Sequence, residues 1–225
     1  MPENQKTMNR FVYISPSNKI ITKIKKMLRN YLTVVVIASV IALAGCGPRT
    51  QPAEDFTEPA PGLLENDAHQ AFFNNLASLC GQSFIGEQVY RSHHGESWAG
   101  RDMIMHVTVC EDDHIHIPFH VDEDHSRTWM FLAEDGQLRF RHQHLYEDGT
   151  HEEGSMYGGY ADDRGNAFVQ YFPADEYSAQ VIEDGGGNVW TVSMDQALTT
   201  FSYRLDRDGE KRFEIVFDLT NPLVR

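Results

Sequence analysis

Basic side chains are scarce: 19 Lys and Arg stand against 33 Asp and Glu, a formal net charge of -14. Seven of those bases, and of the acids only Glu3, fall within residues 1–45, so the remainder is more acidic still. Such a body repels a phosphate backbone, which excludes nucleic acid as a partner. Long apolar runs are missing as well. The longest, ending at Cys46, extends over about 15 residues, marginal for a membrane span. Cysteines number three, and the single glycine cluster, Gly185-Gly186-Gly187, reads as a flexible turn rather than a phosphate cradle. A hydrophobic fraction of 41% nevertheless provides a core, so wholesale disorder is excluded, and 225 residues fit one domain with appendages.

Residues 23–46 join a basic stretch (Lys23, Lys25, Lys26, Arg29) to an apolar run that closes on small residues. That order is the pattern of a secretory signal peptide. Its ending, Leu43-Ala44-Gly45-Cys46, resembles the lipobox of bacterial lipoproteins. The resemblance implies a signal peptide over 1–45 (with Met27 as an alternative start), lipidation of the Cys46 thiol, and palmitate labelling. Gly47, where an Asp would retain the protein at the inner membrane, implies the outer membrane, facing the periplasm. Residues 46–65 carry Pro48, Pro52, Pro59 and Pro61 among polar residues and read as an extended tether. In an oxidising envelope the remaining Cys80 and Cys110 form either a disulfide, contributing about 3–4 kcal/mol by loop closure, or two buried thiols.

The domain proper is expected over 66–225, all-β with one N-terminal helix. Asn66 or Asp67 caps a helix running to Cys80, with Phe72, Phe73, Leu76 and Leu79 at helical spacing. Beyond it the period becomes two. Asp-Gly at 135–136, 148–149, 184–185 and 208–209 marks turns between alternating segments. Ten strands are expected near 84–91, 102–110, 114–121, 127–133, 138–146, 151–160, 166–172, 188–194, 198–206 and 211–219, with a short helix within 173–183. Short connections make neighbours antiparallel, and ten such strands tend to close, giving a calycin-like meander barrel.

Registers turn this frame into candidate sites. A two-residue turn at Asp135-Gly136 sets Phe131 against Phe140, Trp129 against His142 and Arg127 against His144. A similar turn at Asp148-Gly149 sets Phe140 against Tyr157, His142 against Ser155 and His144 against Glu153. The aromatic face must point inward, carrying Arg127, Trp129, His142, His144, Glu153, Ser155 and Tyr157 with it. Those residues are either a self-satisfied buried network or a pocket for a small anionic or amphipathic ligand, clamped by Arg127. A three-residue loop at Glu111-Asp112-Asp113 places Met103, Met105, Val107 and Val109 on one face with Ile115, Ile117, Phe119 and Val121. The opposite face holds His106, His114, His116 and His120 beside Thr108 and Cys110, a set that suits zinc or copper. Ten of the eleven histidines lie between 93 and 151, the strongest compositional anomaly of the domain.

Catalysis is not read from these residues. Ser155, His142 and Glu153 are triad ingredients, but a strand offers no elbow turn and no oxyanion hole. Other family patterns are incomplete: cupin Glu and glycine spacing is missing, and so is the lipocalin Gly-x-Trp. Haem-binding barrels of the nitrobindin kind are similar in strand count but use a histidine near the C-terminus, and none follows His151. Cys80-Gly81-Gln82, Ile117-Pro118-Phe119-His120, Arg127-Thr128-Trp129, Met156-Tyr157-Gly158-Gly159, Phe172-Pro173-Ala174-Asp175 and Phe217-Asp218-Leu219-Thr220 resemble a family of bacterial secreted proteins of unassigned function. That resemblance implies no activity. Three readings follow: a lipid-anchored binding barrel without a cofactor, an envelope zinc or copper protein, and a structural envelope lipoprotein with no ligand.

Overall fold

The computed structural model describes residues 63–93 and 97–223. The signal peptide, Cys46, nearly all of the tether, and His94 lie outside the described residues. Helix α1 (Asp67–Ala77) is followed by β1 (Ser83–Arg91), β2 (Met103–His106), β3 (Val109–Cys110), β4 (His114–Val121), β5 (Asp124–Glu134) and β6 (Gln137–His144). Then come β7 (Tyr157–Tyr160), β8 (Val169–Pro173), α2 (Glu176–Val181), β9 (Asn188–Met194), β10 (Thr200–Arg207) and β11 (Glu210–Asp218). All pairings are antiparallel, in the order β7-β6-β5-β4-β2-β1-β11-β10-β9-β8, with β3 also on β4. The result is the expected all-β, nearly closed barrel.

Its seam lies between β7 and β8, and backbone and side chain close it together. Asp162 N donates to Tyr171 O (3.0 Å) and Asp175 N to Gly158 O (3.0 Å). Ser178, fully buried on α2, accepts from Gly158 N (2.6 Å) and donates to Gly158 O (2.7 Å). Gly158-Gly159 permits this approach, since a Cβ at Gly159 would stand 1.8 Å from Pro173 O. Asp175 caps α2 through Ser178 N (2.9 Å) and accepts from Arg141, which is 4% exposed, at 2.7 Å. A buried guanidinium without that carboxylate would be strongly unfavourable, so the ion pair secures the seam.

One end of the barrel is plugged. Asn66 caps α1 through Ala68 N and His69 N, and the helix turns Phe72, Phe73 and Leu76 into the interior. Phe72 meets Phe131 at 6.1 Å between ring centroids, above a fully buried layer that includes Phe140, Phe172 and Phe201. Gln170, also fully buried, donates to Ala68 O (3.3 Å) and Asn166 O (2.9 Å), tying helix to sheet. Leu64 is buried too, and Glu65 N donates to Gly136 O (2.8 Å), so packing begins two residues before the cap.

Three local expectations are corrected. The strand expected over 102–110 is two strands: Met105 faces Phe119, but Cys110 faces Ile115, a slip of one residue. Val107 leaves the ladder because its N–H and carbonyl pair with Gln82 O and Gly81 N instead. The turn at Asp112-Asp113 is accordingly a two-residue one, with Glu111 N on His114 O. Cys110 therefore packs on the core side rather than opposite the methionines, and there it forms its disulfide with Cys80 beyond α1 (Cα–Cα 6.2 Å). Next, the strand expected from 151 shrinks to Tyr157–Tyr160. Leu145 bridges His151, but His142 then pairs with Tyr157, so three extra residues loop out after His151. Finally, Asp184 (φ +54) opens a 3-10 turn over Gly185–Gly187 rather than a hairpin.

Candidate ligand-binding cavity

The end opposite α1 is hollow. A cavity of about 940 Å³ lies there, within the range that takes small organic ligands. Strand alternation positions its wall. On β5 and β6 the observed register pairs Phe131 with Phe140, Trp129 with His142 and Arg127 with His144, as the Asp135-Gly136 turn predicts. Ascending that face, side chains pass from apolar (Phe131, Phe140) through mixed (Trp129, His142) to polar (Arg127, His144). The same gradient runs along β10 through Phe201, Tyr203, Leu205 and Arg207, of which all but Phe201 line the cavity.

Parallel rings dominate the middle layer. Trp129 stacks between Phe119 (4.6 Å, 12°) and Tyr203 (4.6 Å, 18°), and His142 stacks on Tyr157 (4.4 Å, 15°). His142 is 3% exposed, and burial together with nearby His144 pushes its pKa down to about 3. The ring is therefore neutral. Its Nδ1 faces Tyr157 O (3.3 Å), which can only accept, so Nδ1 carries the proton and Nε2 accepts from the Tyr203 hydroxyl (2.9 Å). His144 Nε2 and the Tyr157 hydroxyl share a second contact at 3.2 Å. These groups give a hydrogen-bonding wall in which the His142 ring is neutral.

Charge is confined to the rim. Arg127 pairs with Asp124 three residues away and lies 5.3 Å above the Trp98 ring, so a carboxylate already occupies it. Arg207 is different: its Nε donates to buried Asn188 at 2.7 Å, and it has no ion pair among the described residues. Exposed Asp184 and Asp208 border the same mouth. Arg207 and Asn188 escaped the sequence reading, as did Trp98, Trp190 and Tyr203. The period-two run from Phe201 to Arg207 was the available signal, identical in form to Phe131–Trp129–Arg127.

Of the seven residues expected to face inward together, Arg127, Trp129, His142, His144 and Tyr157 line the cavity, whereas Glu153 and Ser155 do not. The extra turn carries Glu153 to the exposed surface and leaves Glu152 as the carboxylate near His144 (3.9 Å). Ser155 is buried beneath that turn, its Oγ accepting from His144 N (2.8 Å) and contacting His151 Nδ1 (3.2 Å). The outer-wall histidines divide into pairs. His106 meets His120, with Nε2 and Nδ1 3.1 Å apart, whereas His114 meets His116 at 4.9 Å between centroids and holds Asp113 at 2.6 Å. Among the described residues no group of three or more His, Cys, Asp or Glu converges as a metal centre. Among them, too, no helix is long and apolar enough to cross a membrane.

No protein-family model matches the chain, and no curated protein matches it. Fold and cavity define its class: a nearly closed antiparallel β-barrel, plugged by a helix at one end and hollow at the other.

Proposed function

We propose that the chain is a lipid-anchored envelope lipoprotein whose barrel binds a small, largely aromatic or amphipathic anion from the periplasmic side of the outer membrane. One observation carries the binding half: Arg207, fixed by buried Asn188 and without an ion pair among the described residues, stands at the mouth of an aromatic cavity of about 940 Å³. A bidentate guanidinium suits a carboxylate, sulfonate or phosphate head, while the ring-lined wall suits an apolar body. The hydrogen-bonded pairs His142–Tyr203 and His144–Tyr157 would orient a polar atom on that body. Engagement of the Ser155 hydroxyl outside the cavity supports a binder over a hydrolase.

The anchoring half rests on Leu43-Ala44-Gly45-Cys46 and on the basic and apolar stretches before it. Two experiments test the proposal. Cys46→Ser should lose palmitate incorporation and membrane fractionation, and labelling retained by that variant contradicts the anchor. Organic extraction and mass spectrometry of protein purified from its own envelope should recover a small anionic molecule at near-stoichiometric yield, absent from Arg207→Ala. Empty protein from every preparation contradicts the ligand.

A further inference from the structure

We infer that His106 and His120 form a two-imidazole site on the outer wall of the barrel for a borderline divalent cation, copper(II) or zinc(II), with water completing the coordination. The site is separate from the cavity and does not rest on the binding proposal. It begins in the sheet register. β2 pairs with β4 so that Ile104 stands opposite His120, which makes His106 and His120 diagonal neighbours on the outward face. Their rings lie 4.4 Å apart at 54°, and Nε2 of one is 3.1 Å from Nδ1 of the other. Two imidazole nitrogens bound to one metal at their usual bond length stand about 2.9–3.4 Å apart. Side chains at this separation need little rearrangement to bind.

A hydrogen bond between two neutral imidazoles has the same length, so the surroundings decide. Ser83, 3% exposed, holds its Oγ 2.8 Å from His106 Nδ1. When that hydroxyl accepts from Nδ1–H, the Nε2 lone pair is left toward His120, the arrangement that orients metal-ligating histidines through an outer partner. His125 stacks on His120 at 3.8 Å and 15°; parallel rings do not converge on one ion, so it screens the site rather than ligating. Asp124, the nearby carboxylate, is committed to Arg127. His114 and His116, with His114 held by Asp113, offer no such nitrogen pair among the contacts described. Nitrogen donors of this kind favour copper(II) over zinc(II).

The test uses the full-length purified protein, titrated separately with copper(II) and zinc(II) by calorimetry. Copper(II) spin resonance in parallel should show superhyperfine coupling to two nitrogens. One equivalent should bind, copper more tightly than zinc. His106→Gln and His120→Gln should each weaken binding by at least tenfold, and Ser83→Ala by a smaller factor, while a His114→Gln/His116→Gln double variant leaves it unchanged. Unaltered melting of the single variants shows that they fold. Loss of binding in the 114/116 variant instead, equal binding by every variant, or no saturation by either metal overturns the site. Ligand occupancy of the cavity, measured on the same samples, reports separately on the binding proposal.

Discussion

The two ends of the barrel are built from the same strands and do opposite things. At the plugged end, inward positions are filled by Phe131, Phe140, Phe172 and Phe201, and α1 adds Phe72 and Leu76, all fully buried. At the hollow end the same alternation delivers Trp129, His142, Tyr203 and then Arg127 and Arg207, and the cavity stays open between them. An aromatic wall with hydrogen-bonding tips is poor filler for a core but good lining for a ligand. Stability should therefore reside at one end and binding at the other, and variants can test that division.

The largest effects are expected where packing and buried charge meet. Phe72→Ala removes the helix's main anchor and should cost about 3–5 kcal/mol in denaturant unfolding, with ligand affinity unchanged in the folded fraction. Asp175→Ala strands Arg141 and uncaps α2, and a loss of similar size, about 3–5 kcal/mol, is expected for the seam. Reducing Cys80–Cys110 should cost about 3–4 kcal/mol; equal unfolding midpoints with and without reductant would remove the disulfide from the account.

Acid should expose the hollow end next. His142 is neutral in the folded barrel, with its pKa lowered to about 3, whereas an unfolded histidine takes up a proton near 6.5. Stability from its burial is complete above about pH 6.5 and falls as pH drops toward 3, because the unfolded chain binds the extra proton. His120, lowered to about 4, acts in the same direction over an overlapping window. Its effect is smaller, since it is only partly buried. Between pH 6.5 and 4, unfolding free energy should decline less steeply for His142→Gln than for the parent. Parallel slopes would mean that the ring is not buried as described.

At the rim the balance reverses. Arg207→Ala should lower anion affinity by about ten- to a hundredfold, the worth of a charged hydrogen bond, at little cost in melting temperature. Arg127→Ala should have a weaker effect on affinity, because Asp124 already neutralises that side chain, and should cost at most about 1 kcal/mol, since the pair is partly solvated. Smallest of all, Glu153→Ala should change stability by no more than about 0.5 kcal/mol and leave affinity alone.

What was legible in the sequence followed from strict periods. Turns at Asp135-Gly136 and Asp208-Gly209, where both residues adopt positive φ, leave no freedom in register, so the Arg127–Trp129–Phe131 face could be read outright. Where backbone groups found other partners, reading failed. Val107 pairs with Gly81 and Gln82, which shifts Cys110 to the other face. The extra turn after His151 exchanges Glu153 for Glu152 beside His144. Neither exchange leaves a mark in side-chain alternation: the first rests on backbone bonds from the 81–82 segment, the second on a turn closed by Ser155 N on Glu152 O. The Arg141–Asp175–Ser178 latch was hidden for a related reason: Arg141 lies on the outward face of β6, where a charged residue normally meets water.

The separation of binding from packing is most directly tested with 1-anilinonaphthalene-8-sulfonate, an aromatic anion, titrated into the parent protein, Arg207→Ala and Phe72→Ala at neutral pH. One saturable site is predicted, weakened at least tenfold in Arg207→Ala with unchanged melting, and retained with lowered melting in folded Phe72→Ala. Absence of saturation in the parent, or affinity that follows Phe72 and ignores Arg207, would contradict the account.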